Sequence, residues 1–171
     1  KGLSISGSDI TKNDRLIEIV ENGGIVFHSQ SPQNINLIKK KFNKKNITIV
    51  TSSAINNENK ELNYCIKNQL TIKHRSEILS LIMNSFKSIA VAGSHGKTST
   101  STFLTTLLDL CTKDTSSIVG GILPSYESNT LIKESKYLIA EIDESDGTTY
   151  RYKPYLGIIN NIDFDHCDYY S

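Results

Sequence analysis

The sequence predicts an α/β protein: a Rossmann-like unit with a parallel sheet, followed by the first part of a P-loop α/β domain. Three observations carry that prediction. Short β-branched runs alternate with amphipathic stretches through about residue 85. A further apolar run feeds straight into the glycine loop Gly93-Ser94-His95-Gly96-Lys97-Thr98. Two later apolar runs end in clusters of acids and amides. Strands alternating with helices at this spacing imply βαβ crossovers and hence parallel pairing.

Taken in order, Leu3 to Ser6 reads as the tail of a strand that stops in the turn cluster Gly7-Ser8-Asp9. Asn13 to Asn22 places Leu16, Ile17 and Val20 on one helical face and ends at Gly23-Gly24. Ile25 to His28 is a strand, and Ile35, Ile38 and Phe42 then recur at helical spacing. A β-branched run, Ile47 to Val50, precedes a helix from about Glu58 to Asn68, a strand Leu70 to Lys73 and a helix Glu77 to Met83. We place a domain boundary here, giving units 1–85 and 86–171. In the second unit Ser88 to Ala92 is a buried-type strand, and the next helix carries Phe103, Leu104, Leu107, Leu108 and Cys111. Tyr137 to Ile142 and Leu156 to Asn160 are the remaining strands. So short a sheet, opening on half a strand and closing without a last crossover, is expected to be a fragment that lacks its first βα unit.

Composition narrows the partners. The 171 residues carry 19 basic and 18 acidic side chains, a formal net charge of +1, so no general field attracts nucleic acid or an anionic membrane. Lys39, Lys40, Lys41, Lys44 and Lys45 cluster, but on an amphipathic stretch whose polar face they supply. No apolar run approaches a membrane span, and no signal peptide is expected. Three scattered cysteines, Cys65, Cys111 and Cys167, fit neither a disulfide framework nor a zinc knuckle, which points to the cytoplasm.

The glycine loop is the strongest chemical signal. Two glycines let the backbone wrap closely around phosphate oxygens, and the helix that follows offers unpaired N–H groups and its positive end. Lys97 is placed to reach the β- and γ-phosphates of ATP, and the Thr98 hydroxyl to ligate Mg²⁺. The usual longer pattern would have glycine at position 91, where this chain has Val91, so the loop is two residues tighter. Glu141, Asp143, Glu144 and Asp146 follow an apolar strand, the usual place for acids that hold a nucleotide's magnesium. Strand alternation would put Glu141, Asp143 and residue 145 on one side. Asp163, Asp165, His166 and Asp168 follow the last strand, at the carboxyl end where parallel sheets bind ligands. His166 reads as a metal ligand or a substrate anchor; zinc through Cys167 is disfavoured because no second Cys or His lies at ligand spacing.

Three segments in this order, Ala92 to Thr98, Ala140 to Asp146 and Asn161 to His166, resemble the Mur ligases. Ser6 to Asp9, Thr51 to Ile55 and His74 to Leu79 are similar to that family's UDP-binding domain, so the resemblance spans essentially the whole chain. It implies ATP and Mg²⁺ as cofactors, and UDP-N-acetylmuramate and L-alanine as substrates. The reaction it implies runs through an acyl phosphate, with Lys97, Glu141 and His166 catalytic and Thr98, Glu141 and His166 on the metals. Gly93, Ser94, His95, Gly96, Lys97, Thr98 and Ser99 would hold the nucleotide. Asp9, Ser52, Ser53, Arg75, Glu144, Ser145 and Asn161 would hold substrate. A murein-tripeptide ligase of the same family usually has tyrosine where this chain has Ser145, which favours the alanine-adding branch. A helicase-like NTPase is disfavoured by the tight loop, the extra Glu141 and Asp165-His166; a non-catalytic nucleotide-binding module is the third reading. The resemblance also implies an amino-acid-binding domain beyond these residues. The 171-residue chain alone is therefore expected to show no ligase turnover. A coupled phosphate-release assay with UDP-N-acetylmuramate, ATP and L-alanine checks this, and turnover at an ordinary enzymatic rate contradicts it.

Overall fold

The computed structural model describes residues 3–11, 15–42, 46–145 and 147–164. Contacts divide the chain into two units, residues 1–75 and 76–171.

The first unit runs β1 (Ser6–Ser8), α1 (Arg15–Glu21), β2 (Ile25–Phe27), α2 (Pro32–Phe42), β3 (Thr48–Thr51), α3 (Lys60–Lys67) and β4 (Thr71–His74). All its pairing is parallel, as a strand–helix–strand alternation requires. It forms two separate pairs, β1 with β2 and β3 with β4, rather than the one sheet expected from the sequence. Gly7 and Ser8, read as a turn, instead lie within β1 opposite Val26 and Phe27. The ladder to β2 overrides their turn composition, and the Ser8 hydroxyl donates to the Glu61 carboxylate on α3. Ile35 and Ile38 of α2 and Cys65 of α3 are buried where the unit packs. Burial, with Glu61 adding to it, pushes the Cys65 thiol above its ordinary pKa. Asn59 caps α3 by accepting from Leu62 N at 2.9 Å, a contact that contributes about 1 kcal/mol to such a helix.

The second unit takes in most of α4 (Arg75–Met83), then β5 (Lys87–Ala92), α5 (Lys97–Thr112), β6 (Thr115–Leu123), β7 (Ser128–Leu131), β8 (Tyr137–Glu141), a 3₁₀ turn (Thr149–Arg151) and β9 (Leu156–Ile159). Its sheet has the order β7-β6-β8-β5-β9, parallel throughout except for the antiparallel edge strand β7. The central strands β5 and β8 are buried on both faces and read as continuous apolar runs, as interior parallel strands do. Alternation splits them: Ala90, Leu138 and Ala140 pack with Met83 and Leu79 of α4, while Ile89, Val91 and Ile139 pack with Leu104 and Leu108 of α5. The sheet is thus covered by one helix on each face. Ser80 Oγ donates to Arg151 O at 2.9 Å and Arg151 pairs with Glu77 at 3.4 Å, tying α4 to the 3₁₀ turn.

Two differences from the sequence reading concern this unit. The buried side of α5 is Ser101, Leu104, Thr105 and Leu108, whereas Phe103, Leu107 and Cys111 are exposed. Strands β6 and β7 were not expected at all. β6 opens Thr115-Ser116-Ser117, all buried, and its hydroxyls disguise an interior strand as a loop. Ser116 Oγ is accommodated by Ser135 Oγ at 2.7 Å and by the Lys133 amide at 3.0 Å. Among the described residues no helix is long and apolar enough to cross a membrane.

Asp109, late in α5, is gripped by Lys133 and by the Tyr126 hydroxyl, so the helix is fastened to the β6–β7 hairpin. These two donors hold the Asp109 carboxyl below its usual range. The same contact pushes the Tyr126 phenol up to about 12. A raised folded-state pKa means that the tyrosine's contribution is complete below its unfolded pKa of 10.0 and is lost as pH rises towards about 12. The depressed Asp109 works the other way: its contribution is present above the usual carboxylate range and is lost as pH falls through the lowered value. Tyr126→Phe should remove about 1 kcal/mol at neutral pH and lower the unfolding temperature by roughly 4–8 °C. Thermal unfolding followed against pH should show that deficit shrinking between pH 10 and about 12.

Candidate functional site

Strand β5 delivers the glycine loop between the ends of β8 and β9, its two neighbours in the sheet. Gly93 (φ 130°) and Gly96 (φ 78°) both lie in the region that L side chains rarely adopt. A Cβ on Gly93 would also sit 3.0 Å from Asn161 O and 3.1 Å from Asn160 N, because the loop packs directly on the chain leaving β9. That chain straps the loop. Asn160 N donates to Ala92 O at 3.0 Å and Ser94 N to Asn161 O at 3.3 Å. His95 N donates to Asn161 Oδ1 at 2.9 Å, and the side-chain amides of Asn160 and Asn161 return to His95 O at 3.2 and 3.1 Å. Asp163 N donates to Ser94 Oγ at 3.0 Å, and Thr100 Oγ1 to Asn160 Oδ1 at 3.2 Å. Helix α5 begins at Lys97, and Thr100 N donates to Gly96 O at 3.0 Å. The amides of Lys97, Thr98 and Ser99 therefore precede the helix's own ladder, the position from which a helix presents donors to an anion.

The Lys97 ammonium has three protons, and the protein supplies three acceptors: Gly93 O at 2.7 Å, Ser94 O at 3.4 Å and Glu144 Oε1 at 2.5 Å. Both side chains of the ion pair are about one-sixth exposed, 17% and 16%. An arriving phosphate must compete with Glu144 for this lysine. Beside it Thr98 Oγ1 lies 3.0 and 3.1 Å from the two oxygens of Glu141, and Gly120 N donates to Glu141 Oε2 at 2.8 Å. A hydroxyl facing a carboxylate is a hard-oxygen donor set that suits Mg²⁺, which is commonly held by one or two protein oxygens with the rest from water and phosphate. Among the described residues no group of three or more His, Cys, Asp and Glu side chains forms a metal cluster.

Strand alternation reaches only as far as the first of the acids. β8 ends at Glu141, and Asp143 Oδ1 instead closes a turn by accepting from Ser145 N at 3.0 Å and Ser145 Oγ at 2.6 Å. His95 is exposed, its Nε2 3.9 Å from Asp163 Oδ2. His166 lies outside the described residues, as do Asp146, Asp165 and Asp168. In the first unit the expected residues all fall at or just beyond the carboxyl ends of parallel strands. Asp9 follows β1 and accepts from Thr11 N at 2.8 Å; Ser52 and Ser53 follow β3, with Ser53 Oγ 3.1 Å from His74 Nε2; Arg75 follows β4 and is exposed. Sequence reasoning missed Asn160, Gly120 and Gly121. A Cβ on Gly121 would meet Thr98 Cγ2 at 2.7 Å, and one on Gly120 would meet the Glu141 carboxylate at 3.0–3.2 Å. The signal was a glycine pair directly after Ile118-Val119, where a strand interior would not otherwise favour it.

Fold and site together define an α/β protein with a P-loop at the carboxyl edge of a parallel sheet. The chain belongs to the Mur ligase family: residues 1–87 match the description "Mur ligase family, catalytic domain" and residues 91–171 "Mur ligase middle domain". It is 58% identical over 171 residues to a protein of Prochlorococcus marinus subsp. pastoris named UDP-N-acetylmuramate–L-alanine ligase, covering 100% of this chain and 36% of that one. A protein of the same name from Prochlorococcus marinus (strain NATL1A) is 48% identical over 170 residues, covering 99% and 34%. The chain thus spans about a third of the length of these relatives. Its fold is shared with the crystal structure of UDP-N-acetylmuramate:L-alanyl-gamma-D-glutamyl-meso-diaminopimelate ligase from Neisseria meningitides, with a TM-score of 0.83 at 19% identity over 99% of this chain and 56% of that one.

The ion pair generates a direct expectation. Glu144→Gln keeps the shape but removes the anion that competes for Lys97, so ATP should bind the chain more tightly, by about tenfold for the roughly 1.4 kcal/mol of a charge-assisted contact. Calorimetric titration of the chain and its variant with ATP checks this; unchanged or weaker binding contradicts it.

Proposed function

We propose that this chain is the UDP-binding and P-loop part of an ATP-dependent ligase that joins L-alanine to UDP-N-acetylmuramate in cytoplasmic peptidoglycan-precursor synthesis. The observation that carries the reading is the convergence of Lys97, Thr98 and Glu141 at the loop, in a chain 58% identical to a relative of that name. Such a reaction brings two anions together, the γ-phosphate of ATP and the lactyl carboxylate of the sugar nucleotide, so the protein's work is neutralisation and alignment.

In this reading Gly93, Ser94, His95, Gly96, Lys97, Thr98 and Ser99 receive the phosphates, with the first-turn amides as donors and Lys97 released from Glu144 to the β- and γ-oxygens. Thr98 and Glu141 would hold one Mg²⁺ and His166 a second, and the ions would supply charge neutralisation. Lys97 stabilises charge as the phosphoryl group passes to the lactyl carboxylate. The amine of L-alanine then attacks the acyl carbonyl, and phosphate leaves as the amide forms. Glu144, Ser145 and Asn161 contact the acceptor side, and Asp9, Ser52, Ser53 and Arg75 the UDP end. Partners are small molecules, with neither nucleic acid nor membrane engaged.

The tripeptide-adding alternative has support in the fold shared with the Neisseria structure, but that likeness is one of fold alone. Ser145 and the names of the relatives at 58% and 48% identity favour L-alanine. A chimera decides between them: this chain replaces the matching third of the Prochlorococcus relative, and phosphate release is measured with UDP-N-acetylmuramate, ATP and either L-alanine or the tripeptide. L-alanine-dependent release is expected, and Lys97→Ala in the chimera should lower it by at least about 100-fold. Release that depends on the tripeptide and not on L-alanine would overturn the assignment.

A further inference from the structure

We propose that Gly120 and Gly121 of β6 are positioning residues for the cation ligands of the P-loop. In this arrangement the Gly120 amide holds one oxygen of Glu141, and the bare α-carbon of Gly121 leaves room for the Thr98 methyl. The inference rests on the Mg²⁺ reading of Thr98 and Glu141 and assigns it two residues outside the loop and its acids.

Three observations carry it. The β6–β8 ladder runs from Thr115↔Tyr137 to Ile118↔Ala140 and stops one residue short of Glu141. Beyond that point β6 is irregular, its register with β7 shifting between Ile118 and Leu123. In that stretch Gly120 N donates at 2.8 Å to the Glu141 side chain. A bulge is a common means of re-aiming backbone beside a site. Next, neither glycine has a positive φ, so backbone conformation does not demand glycine here, unlike at Gly93 and Gly96. The demand is one of space. A Cβ at 121 would lie 2.7 Å from Thr98 Cγ2, closer than real Cβ contacts allow, and one at 120 would press on the Glu141 carboxylate at 3.0–3.2 Å. Finally, the two atoms so protected are the Thr98 hydroxyl and the Glu141 carboxylate, which already face each other at 3.0–3.1 Å. Turning Thr98 about its Cα–Cβ bond to relieve a methyl clash would swing that hydroxyl away from the carboxylate.

The outer partners of metal ligands, when changed, typically alter metal affinity about 10- to 100-fold. The test titrates the chain with ATP alone and with ATP plus Mn²⁺, by calorimetry and by the Mn²⁺ paramagnetic resonance signal. Its readout is the gain in affinity that the cation confers. Gly121→Ala should reduce that gain by about tenfold or more while metal-free ATP binding stays as it is. Thr98→Ser keeps the hydroxyl and deletes the clashing methyl, so the double variant Gly121→Ala/Thr98→Ser should recover the gain to the level of Thr98→Ser alone. Gly157→Ala, at a glycine with nothing within 4 Å and no positive φ, is the control and should behave as the unmutated chain. A full gain in Gly121→Ala, or a double variant no better than Gly121→Ala, overturns the proposal. If Gly121→Ala unfolds the chain, the double variant still decides: refolding with the gain restored supports the steric account, and failure to restore it overturns the account. No gain from Mn²⁺ in the unmutated chain would instead remove the cation site itself, and this inference with it.

Discussion

The site depends first on register. β5 pairs with β8 through Val91↔Glu141 and with β9 through Ala92↔Ile159, so three strands finish within a residue of one another. Everything functional is hung from that edge: the glycine loop from β5, Glu141 from β8, and Asn160-Asn161 from β9. Because strand side chains alternate, a slip of one residue between β5 and β8 would turn Glu141 to the other face. The apolar clusters on the two faces forbid the slip. Ala90, Leu138 and Ala140 fit under α4, and Ile89, Val91 and Ile139 under α5; exchanging the sets would exchange small residues for large ones. Core packing thereby sets the position of a carboxylate at the surface.

On that frame the loop is held by polar contacts. Asn161 Oδ1 accepts from the His95 amide and Asn161 Nδ2 donates to the His95 carbonyl, which fixes the loop's curvature. Glu144 neutralises Lys97, a cation that would otherwise sit mostly buried beside two carbonyl groups. Burying a charge without a partner is far more costly than burying a pair. Glu144 serves as the anion that this lysine needs. On the proposed reading the same contact would oppose a phosphate, so that the shape of the loop and its affinity for a ligand would be set against each other at one pair of atoms.

Much of this was legible in the chain because it is written locally. Loop, Lys97, Thr98 and the acids after β8 lie in contiguous segments, and glycine at 93 and 96 answers a backbone demand that sequence reveals directly. The rest was not legible because it is written across the fold. β6 was hidden by buried hydroxyls at Thr115, Ser116 and Ser117, residues whose composition suits a loop until partners such as Ser135 are in place. Leu104 and Leu108 were read correctly on the packed face of α5, but the exposed Phe103 and Leu107 were added to it, while Ser101 and Thr105, which form part of it, were not. α4 carries the pattern of any amphipathic helix, and nothing in that pattern says that it packs on Ala90 and Leu138 rather than on the strands before it. The roles of Asn160 and of the Gly120-Gly121 pair follow from approach distances, which no spacing rule encodes.

The acids after β8 show how far one motif can divide. Glu141, Asp143 and Glu144 lie within four residues, and three like charges so close would repel one another if left to share one space. The end of the strand separates them instead. Glu141 still belongs to β8 and turns to Thr98 and the Gly120 amide; Asp143 folds back on Ser145; Glu144 reaches Lys97. Each of these three carboxylates has a donor of its own. Only the first combines a hydroxyl and a carboxylate next to the loop's helix. Among the described acids, Glu141 is the one set beside the first turn of α5, and Glu144 the one that, on the proposed reading, would give up its partner to a phosphate.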